Sequence, residues 1–225
     1  MTRKYGRLLL LIALVLALPL TSWAFDVDLT VHAGGGAAMG STDDDNKTGK
    51  IGFAAAGGAG VDLALLDLNP LGLGLSTGAE YLYLKYESEL VIPLTTVLTA
   101  VTNYAYLNLP VALTGTLPLN DKLTLRFSAG GFAGYFLGGT ADNTYEPELG
   151  GPFTNGKVDL DDSDIEAWQY GLRFGTAVEI KSRGKINLEP GLLFDLGLTD
   201  TTITQPSKDT FWALTAYVGC RYSLF

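Results

Sequence analysis

The sequence predicts an all-β fold, an eight-stranded antiparallel transmembrane β-barrel of the up-and-down kind, and three observations predict it. Beyond residue 24, apolar side chains recur at alternate positions in eight separate runs, the period of a strand with two unlike faces. The chain is apolar overall, with 47% hydrophobic residues and a mean hydropathy of +0.22. Yet after residue 24 no unbroken apolar run approaches the roughly 20 residues of a spanning helix. Finally, the connections alternate long and short, which sorts them onto opposite sides of a membrane.

Residues 1–24 stand apart. Arg3, Lys4 and Arg7 precede an apolar run at 8–20, and Ser22-Trp23-Ala24 places small residues at both ends of a cleavage triplet. That order is a secretory signal, and the run is too short to cross a bilayer comfortably. The division expected is therefore a signal peptide at 1–24 and one barrel domain at 25–225. Losing three basic residues from 15, against 24 acidic ones, leaves the mature chain at about −12, which speaks against nucleic acid as a partner. A lone cysteine, Cys220, permits no intrachain disulfide, and 28 glycines disfavour long helices.

The first run sets Asp28, Thr30, His32, Gly34 and Gly36 against Val27, Leu29, Val31 and Ala33. A polar connection at 41–50 follows. The second run carries Ile51, Phe53, Val61, Leu63 and Leu65 at odd positions opposite Gly52, Gly58, Gly60 and Asp62, and ends in a short turn at 67–70. In the third run, Leu71, Leu73, Leu75 and Tyr81 oppose Gly72, Gly74, Gly78 and Glu80; near 81–86 both faces are apolar and the period blurs. Residues 87–101 read as a second long connection.

The fourth run alternates Ala105, Leu107, Leu109 and Val111 with Tyr104, Tyr106, Asn108 and Pro110, and a short turn at 118–122 leads to the fifth. There Leu125, Phe127, Tyr135 and Leu137 oppose Arg126, Ser128, Gly130 and Gly134. A long acidic connection is expected at 138–165. The sixth run has Trp168, Tyr170, Leu172, Phe174 and Val178 against Gln169, Arg173 and Glu179. After a tight turn at 182–184, the seventh has Ile186, Leu188, Leu192 and Leu196 against Asn187, Glu189 and Asp195. Residues 200–209 form the last long connection.

The eighth run, 211–225, is continuously apolar at even positions from Trp212 through Cys220 to Leu224, and nothing follows it that could cover that face. Lipid is the cover that remains. The terminal Phe225 is out of phase with the stripe, so a bulge or frayed end is expected near Ser223. With both chain ends on the periplasmic side, the long connections lie outside and the short turns inside. Phe53, Tyr81, Tyr83, Tyr135, Trp168, Tyr170, Trp212 and Tyr222 then sit near run ends, where an interfacial girdle belongs.

The chain resembles the small eight-stranded outer-membrane barrels, the OmpA/OmpX-like group. The resemblance rests on pattern along the whole mature chain, on Tyr106-Leu107-Asn108-Leu109-Pro110-Val111, and on the terminal Phe225. It implies residence in the bacterial outer membrane among lipid and lipopolysaccharide, and a C-terminal strand read by the barrel-insertion machinery.

If lipid meets the apolar faces, the opposite faces line the lumen, which eight strands leave too narrow for a porin-sized channel. Inward parity collects Asp28, Asp62, Arg126, Glu179, Glu189 and Arg221 toward the periplasmic end, with Glu80 and Arg173 at mid-height. Buried charges must pair, so an ion-paired plug joining Arg126 and Arg221 to Glu179, Glu189 and Asp28 is expected. Packing is its structural reading and a gate its functional one. Small inward residues nearer the outside, among them Gly34, Gly36, Gly130 and Gly134, suggest a cavity there with Phe132 and Phe136 as lining, while the default for a packed interior is that the two rings fold inward and fill it.

No metal site is expected. The acidic run 159–164 lacks the glycine of a calcium loop, and Tyr170 stands where its last ligand belongs. No cofactor and no enzyme activity are expected; His32 reads as a hydrogen-bonded interior residue, with a His–Ser–Glu arrangement with Ser76 and Glu80 across the neighbouring interior as the alternative. The function read from sequence is a structural or adhesin-like one, with external loops meeting an extracellular ligand. A narrow pore or carrier for small apolar molecules is the alternative. A lipid A-modifying enzyme and a soluble lipocalin-like binder stand further off; the Gly-x-Trp opening of lipocalins is missing.

Overall fold

The computed structural model describes residues 26–92, 96–147, 154–160, 165–201 and 209–224. The signal segment read at 1–24 lies outside them. The strands are β1 (Val27–Thr42), β2 (Lys47–Asp67), β3 (Gly72–Ile92), β4 (Thr96–Pro118), β5 (Leu123–Pro147), β6 (Thr154–Leu160), β7 (Trp168–Ile180), β8 (Ile186–Gly197) and β9 (Asp209–Ser223). All pair antiparallel, in the order β4-β3-β2-β1-β9-β8-β7-β5, and the β4–β5 pairing closes the ring at eight strands.

β6 is additional to these eight and falls outside that ring. It pairs with the outer half of β5, while β7 pairs with the inner half, so β6 and β7 follow one line beside β5. Here the expected connections at 87–101 and 138–165 are corrected. β3 runs on to Ile92, β4 begins at Thr96, and β5 continues to Pro147 before β6 returns along it. Above the bilayer the outer face of these strands meets water, so the apolar stripe ends although the ladder hydrogen bonds continue.

The exposed large apolar residues form one belt. Leu29, Val31, Leu73, Val111, Leu113, Phe127, Leu172, Phe174, Leu188, Leu192, Leu214 and Val218 all point outward. Glu189, by contrast, faces the lumen, where it meets Arg126, Arg221 and Tyr217. This is the orientation opposite to a water-soluble barrel.

Aromatic rings mark the edges of the belt. Tyr135 and Trp168, cross-strand partners, meet edge to face at 5.1 Å. At the other end the Lys185 ammonium stands 5.9 Å from the centre of the Tyr222 ring. The β2–β3 turn, with a cis Asn69–Pro70 peptide, is closed by Leu68 N–H donating to Leu71 O. In the β7–β8 turn Ser182 Oγ donates to Ile186 O.

The strand lengths are uneven. β2 to β5 hold 21, 21, 23 and 25 residues, whereas β7, β8 and β9 hold 13, 12 and 15. Crossing the hydrocarbon takes a tilted strand about 9–11 residues. The surplus of β2–β5, with β6 beside it, stands outside the membrane as a one-sided wall. Lys50 on this wall contacts Glu87 at 2.7 Å and Glu89 at 3.2 Å, and the hydrogen bond to Glu87 holds its pKa above the usual lysine value.

Two irregularities matter. At Gly138 (φ +150°) the β4–β5 register shifts, and from there the inward positions of β5 become odd, at Gly139, Ala141 and Asn143. The bulge expected near Ser223 is absent, since β1 and β9 pair from Asp28↔Ser223 to Thr42↔Asp209 without a shift. Phe225 itself lies outside the described residues.

Candidate functional site

The lumen is layered along the barrel axis. Nearest the periplasm, Arg221 contacts Asp62 at 2.5 Å, Asp28 and Glu189 at 2.9 Å, and Glu179 at 3.8 Å. Arg126 lies 3.3 Å from both Asp62 and Glu189. Six side chains from β1, β2, β5, β7, β8 and β9 thus converge, and Asn187 adds a hydrogen bond to Glu179 at 2.6 Å. The Arg221 side chain retains 2% of its exposure, so each of its contacts replaces water that the guanidinium has lost.

A second layer lies above the first. Arg173 donates through Nε and Nη2 to the two oxygens of Asp195, each at 2.6 Å, and through Nη2 to Glu80 Oε1 at 2.5 Å. Glu80 Oε2 in turn lies 2.7 Å from His32 Nε2. Local register explains the arrangement. Arg173 and Asp195 are directly opposed on β7 and β8. His32 and Glu80 sit on either side of Gly58, whose missing side chain lets them meet across β2. A Cβ there would stand 2.5 Å from Ala79 O and 2.8 Å from Glu80 Cα.

Asp195 and His32 belong to this layer although the sequence reading placed neither in a charge network. Both had the required inward parity; what sequence did not give was the register that sets Asp195 opposite Arg173, and the reach of Arg173 across the lumen to Glu80.

Above the ion layers the lumen is apolar. Leu82, Leu84, Tyr104, Tyr106, Phe132, Phe136 and Phe211 form its buried core. The Tyr106 and Phe211 rings stack at 6.2 Å, and Tyr106 meets Phe136 at 5.6 Å. The cavity expected between Phe132 and Phe136 is therefore corrected. At 5% and 3% exposure both rings fill the space that small residues on the facing walls leave. A Cβ at Gly171 would come within 2.5 Å of the Phe132 ring, and one at Gly197 within 3.0 Å of Phe211. Gln169 Nε2 donates to the Tyr106 hydroxyl at 2.9 Å beneath this plug.

Three spaces stand out among the described residues. A vestibule of about 600 Å³ opens at the periplasmic end, lined by Asp28, Arg126, Glu179 and Arg221. A chamber of about 100 Å³ separates the two ion layers, bordered by His32, Ser76, Glu80, Arg173 and Tyr217. A cavity of about 280 Å³ lies at the outer mouth, above Tyr86 and Tyr104 and bounded by the tall wall. Across it Lys47 of β2 pairs with Asp209 of β9.

Among the described residues no group of three or more His, Cys, Asp or Glu could hold a metal ion. Residues 161–164 of the acidic run considered for calcium lie outside the described ones.

A closed antiparallel ring, an apolar belt with aromatic edges and an ion-paired lumen define an integral outer-membrane β-barrel. The sequence matches the model of the outer membrane protein beta-barrel domain over residues 22–202, and the chain belongs to that family. It resides in the bacterial outer membrane.

Among solved structures it is similar to Neisserial surface protein A, at 15% identity and a TM-score of 0.38, over 90% of this chain and 98% of that one. It is also similar to the N-terminal β-barrel domain of Pseudomonas aeruginosa OprF, at 12% identity, TM-score 0.32 and coverage of 88% and 97%. Ail of Yersinia pestis matches at 10% identity, TM-score 0.30 and coverage of 87% and 98%. A search of curated proteins gave no significant match.

Proposed function

We propose that this protein is a sealed barrel whose work is done on its outer side, as an envelope protein that meets extracellular ligands through the wall and loops above the membrane. One observation carries the reading: two ion-paired layers and an aromatic plug occupy the lumen, while β2–β5 continue well past the length that spanning requires. Selection for conduction would favour an open axis and short walls. Selection for interaction favours the reverse.

The same observation weighs against the pore or carrier, because the outer cavity ends on Tyr86 and Tyr104. A catalytic role is also disfavoured: the only histidine is engaged by Glu80 beneath the plug, out of reach of a substrate in the outer leaflet. The test compares the wild type with a variant in which residues 86–102, the β3–β4 tip, are replaced by a short turn. Proteoliposomes of either should show no solute flux, and adhesion of bacteria expressing the variant to host or abiotic surfaces should fall while the barrel still folds. Measurable flux through the wild type, or undiminished adhesion, overturns the reading.

A further inference from the structure

The outer cavity carries an inference that rests on this extracellular reading and goes further. Its lining carries two chemistries. Leu90, Leu98, Val158, Leu160 and Ile165 supply apolar groups, and the rings of Tyr86 and Tyr104 form the floor. Ser88, Thr102, Asn143 and Thr210 supply hydroxyl and amide groups, and Lys47 and Asp209 supply an ion pair. Asp209 is only half satisfied: Oδ2 engages Lys47, but Oδ1 is buried with no hydrogen-bond partner among the described residues. A buried carboxylate oxygen in that state calls for a donor.

The charge balance narrows the occupant. Asp44 and Asp209 outnumber Lys47 along the lining, so sulfate, phosphate and carboxylate ligands meet a net negative wall. A purely apolar ligand would strip water from the polar lining groups without replacing their hydrogen bonds. An amine would satisfy Asp209 and leave the dispersed hydroxyls and Asn143 unused. A pyranose ring has C–H faces for the apolar groups and a rim of hydroxyls that donate and accept for the polar ones set among them. The volume, about 280 Å³, suits one or two such rings.

We propose that the outer cavity binds a neutral pyranose, either a free sugar or the terminal residue of a glycan. Asp209 accepts from its hydroxyls, while the Tyr86 floor and the Leu90–Leu98 side cover its C–H face. Ala141, an inward-facing cavity residue between Thr102 and Val158, gives a way to fill the space without touching the ion pair.

The full-length barrel, refolded in a detergent without a sugar headgroup, is titrated with methyl glycosides of glucose, galactose, mannose and N-acetylglucosamine, read by saturation-transfer NMR and calorimetry. At least one should bind saturably, with affinity lowered about tenfold or more in Ala141→Trp and in Asp209→Asn, and unchanged in Lys157→Ala on the outward face of β6. A glycan array carrying the same residues as chain termini separates the sources: retention there with no binding of the free glycosides assigns the glycan end. The proposal is overturned if no neutral sugar binds in either format, if Ala141→Trp binds like the wild type, or if only sulfated or phosphorylated sugars bind. No sugar binding by the wild type, beside adhesion that depends on residues 86–102, removes this cavity assignment alone; adhesion that does not depend on residues 86–102 removes the broader reading.

Discussion

Arg173 and Glu80 meet at 2.5 Å from strands that are not neighbours, β7 and β3, so their contact ties opposite walls of the barrel through the lumen. Arg173 serves two carboxylates at once, since Asp195 accepts from the same guanidinium. Arg173→Met leaves Glu80 and Asp195 buried without their cation, a loss of about 3–5 kcal/mol for a broken buried pair. Adding Glu80→Gln and Asp195→Asn to the same chain should restore a large part of it. Equilibrium urea unfolding in lipid vesicles measures both; an unshifted Arg173→Met midpoint shows that the layer does not hold the walls together.

Conductance should depend on the plug and not on the periplasmic ions alone. Arg126→Ala and Arg221→Ala remove cations beneath Tyr106, Phe136 and Phe211, which still fill the lumen above them. Each single variant is therefore expected to be as silent as the wild type in planar bilayers. Combining Arg221→Ala and Arg173→Ala with Tyr106→Ala and Phe136→Ala, which thins both ion layers and the plug, should produce discrete openings. Openings in Arg126→Ala alone would make the lower layer a gate.

Glycines on the inner wall act as seats for rings, and Gly40 shows it most directly. The three heavy atoms nearest to a Cβ at this position all belong to the Tyr86 ring, the first at 2.5 Å. Gly40→Val should cost about 1–3 kcal/mol, the usual penalty for overpacking. Tyr86→Ala should relieve much of it, giving a coupling between the two sites in a double-mutant cycle. Additive losses would mean that the ring moves aside freely.

Where one face of a strand meets lipid and the other meets charge, the sequence was easy to read. Leu172 and Phe174 against Arg173, or Leu188 and Leu192 against Glu189, leave no doubt about sides. It became hard to read where the lumen is itself apolar. Leu82, Leu84 and Tyr86 face inward beside outward Tyr81 and Tyr83, so no period separates the faces of β3 there, and of the plug only Phe132 and Phe136 are legible from parity. Above the membrane the difficulty is the reverse, because water on the outer face removes the stripe and Gly138 swaps the parity of β5. The Asp195 contact depends on the pairing register of β7 with β8, and the Arg173–Glu80 contact on a distance across the barrel, neither of which a local pattern encodes.

The orientation of the barrel makes its own prediction, because a charge on the outer face must enter hydrocarbon at one height and headgroups at another. Phe174 lies midway along β7 and is 46% exposed, while Ile186 begins β8 at the periplasmic rim and is 58% exposed. A water-facing belt would accept arginine at both with little change. In lipid, Phe174→Arg should destabilise by about 2–4 kcal/mol and Ile186→Arg by at most about 1 kcal/mol. Reversible unfolding in vesicles at matched conditions gives the two values. Equal, small effects would place the belt in water and undo every inward assignment, whereas a steep difference fixes the hydrocarbon at the height of Phe174 and the ion layers inside.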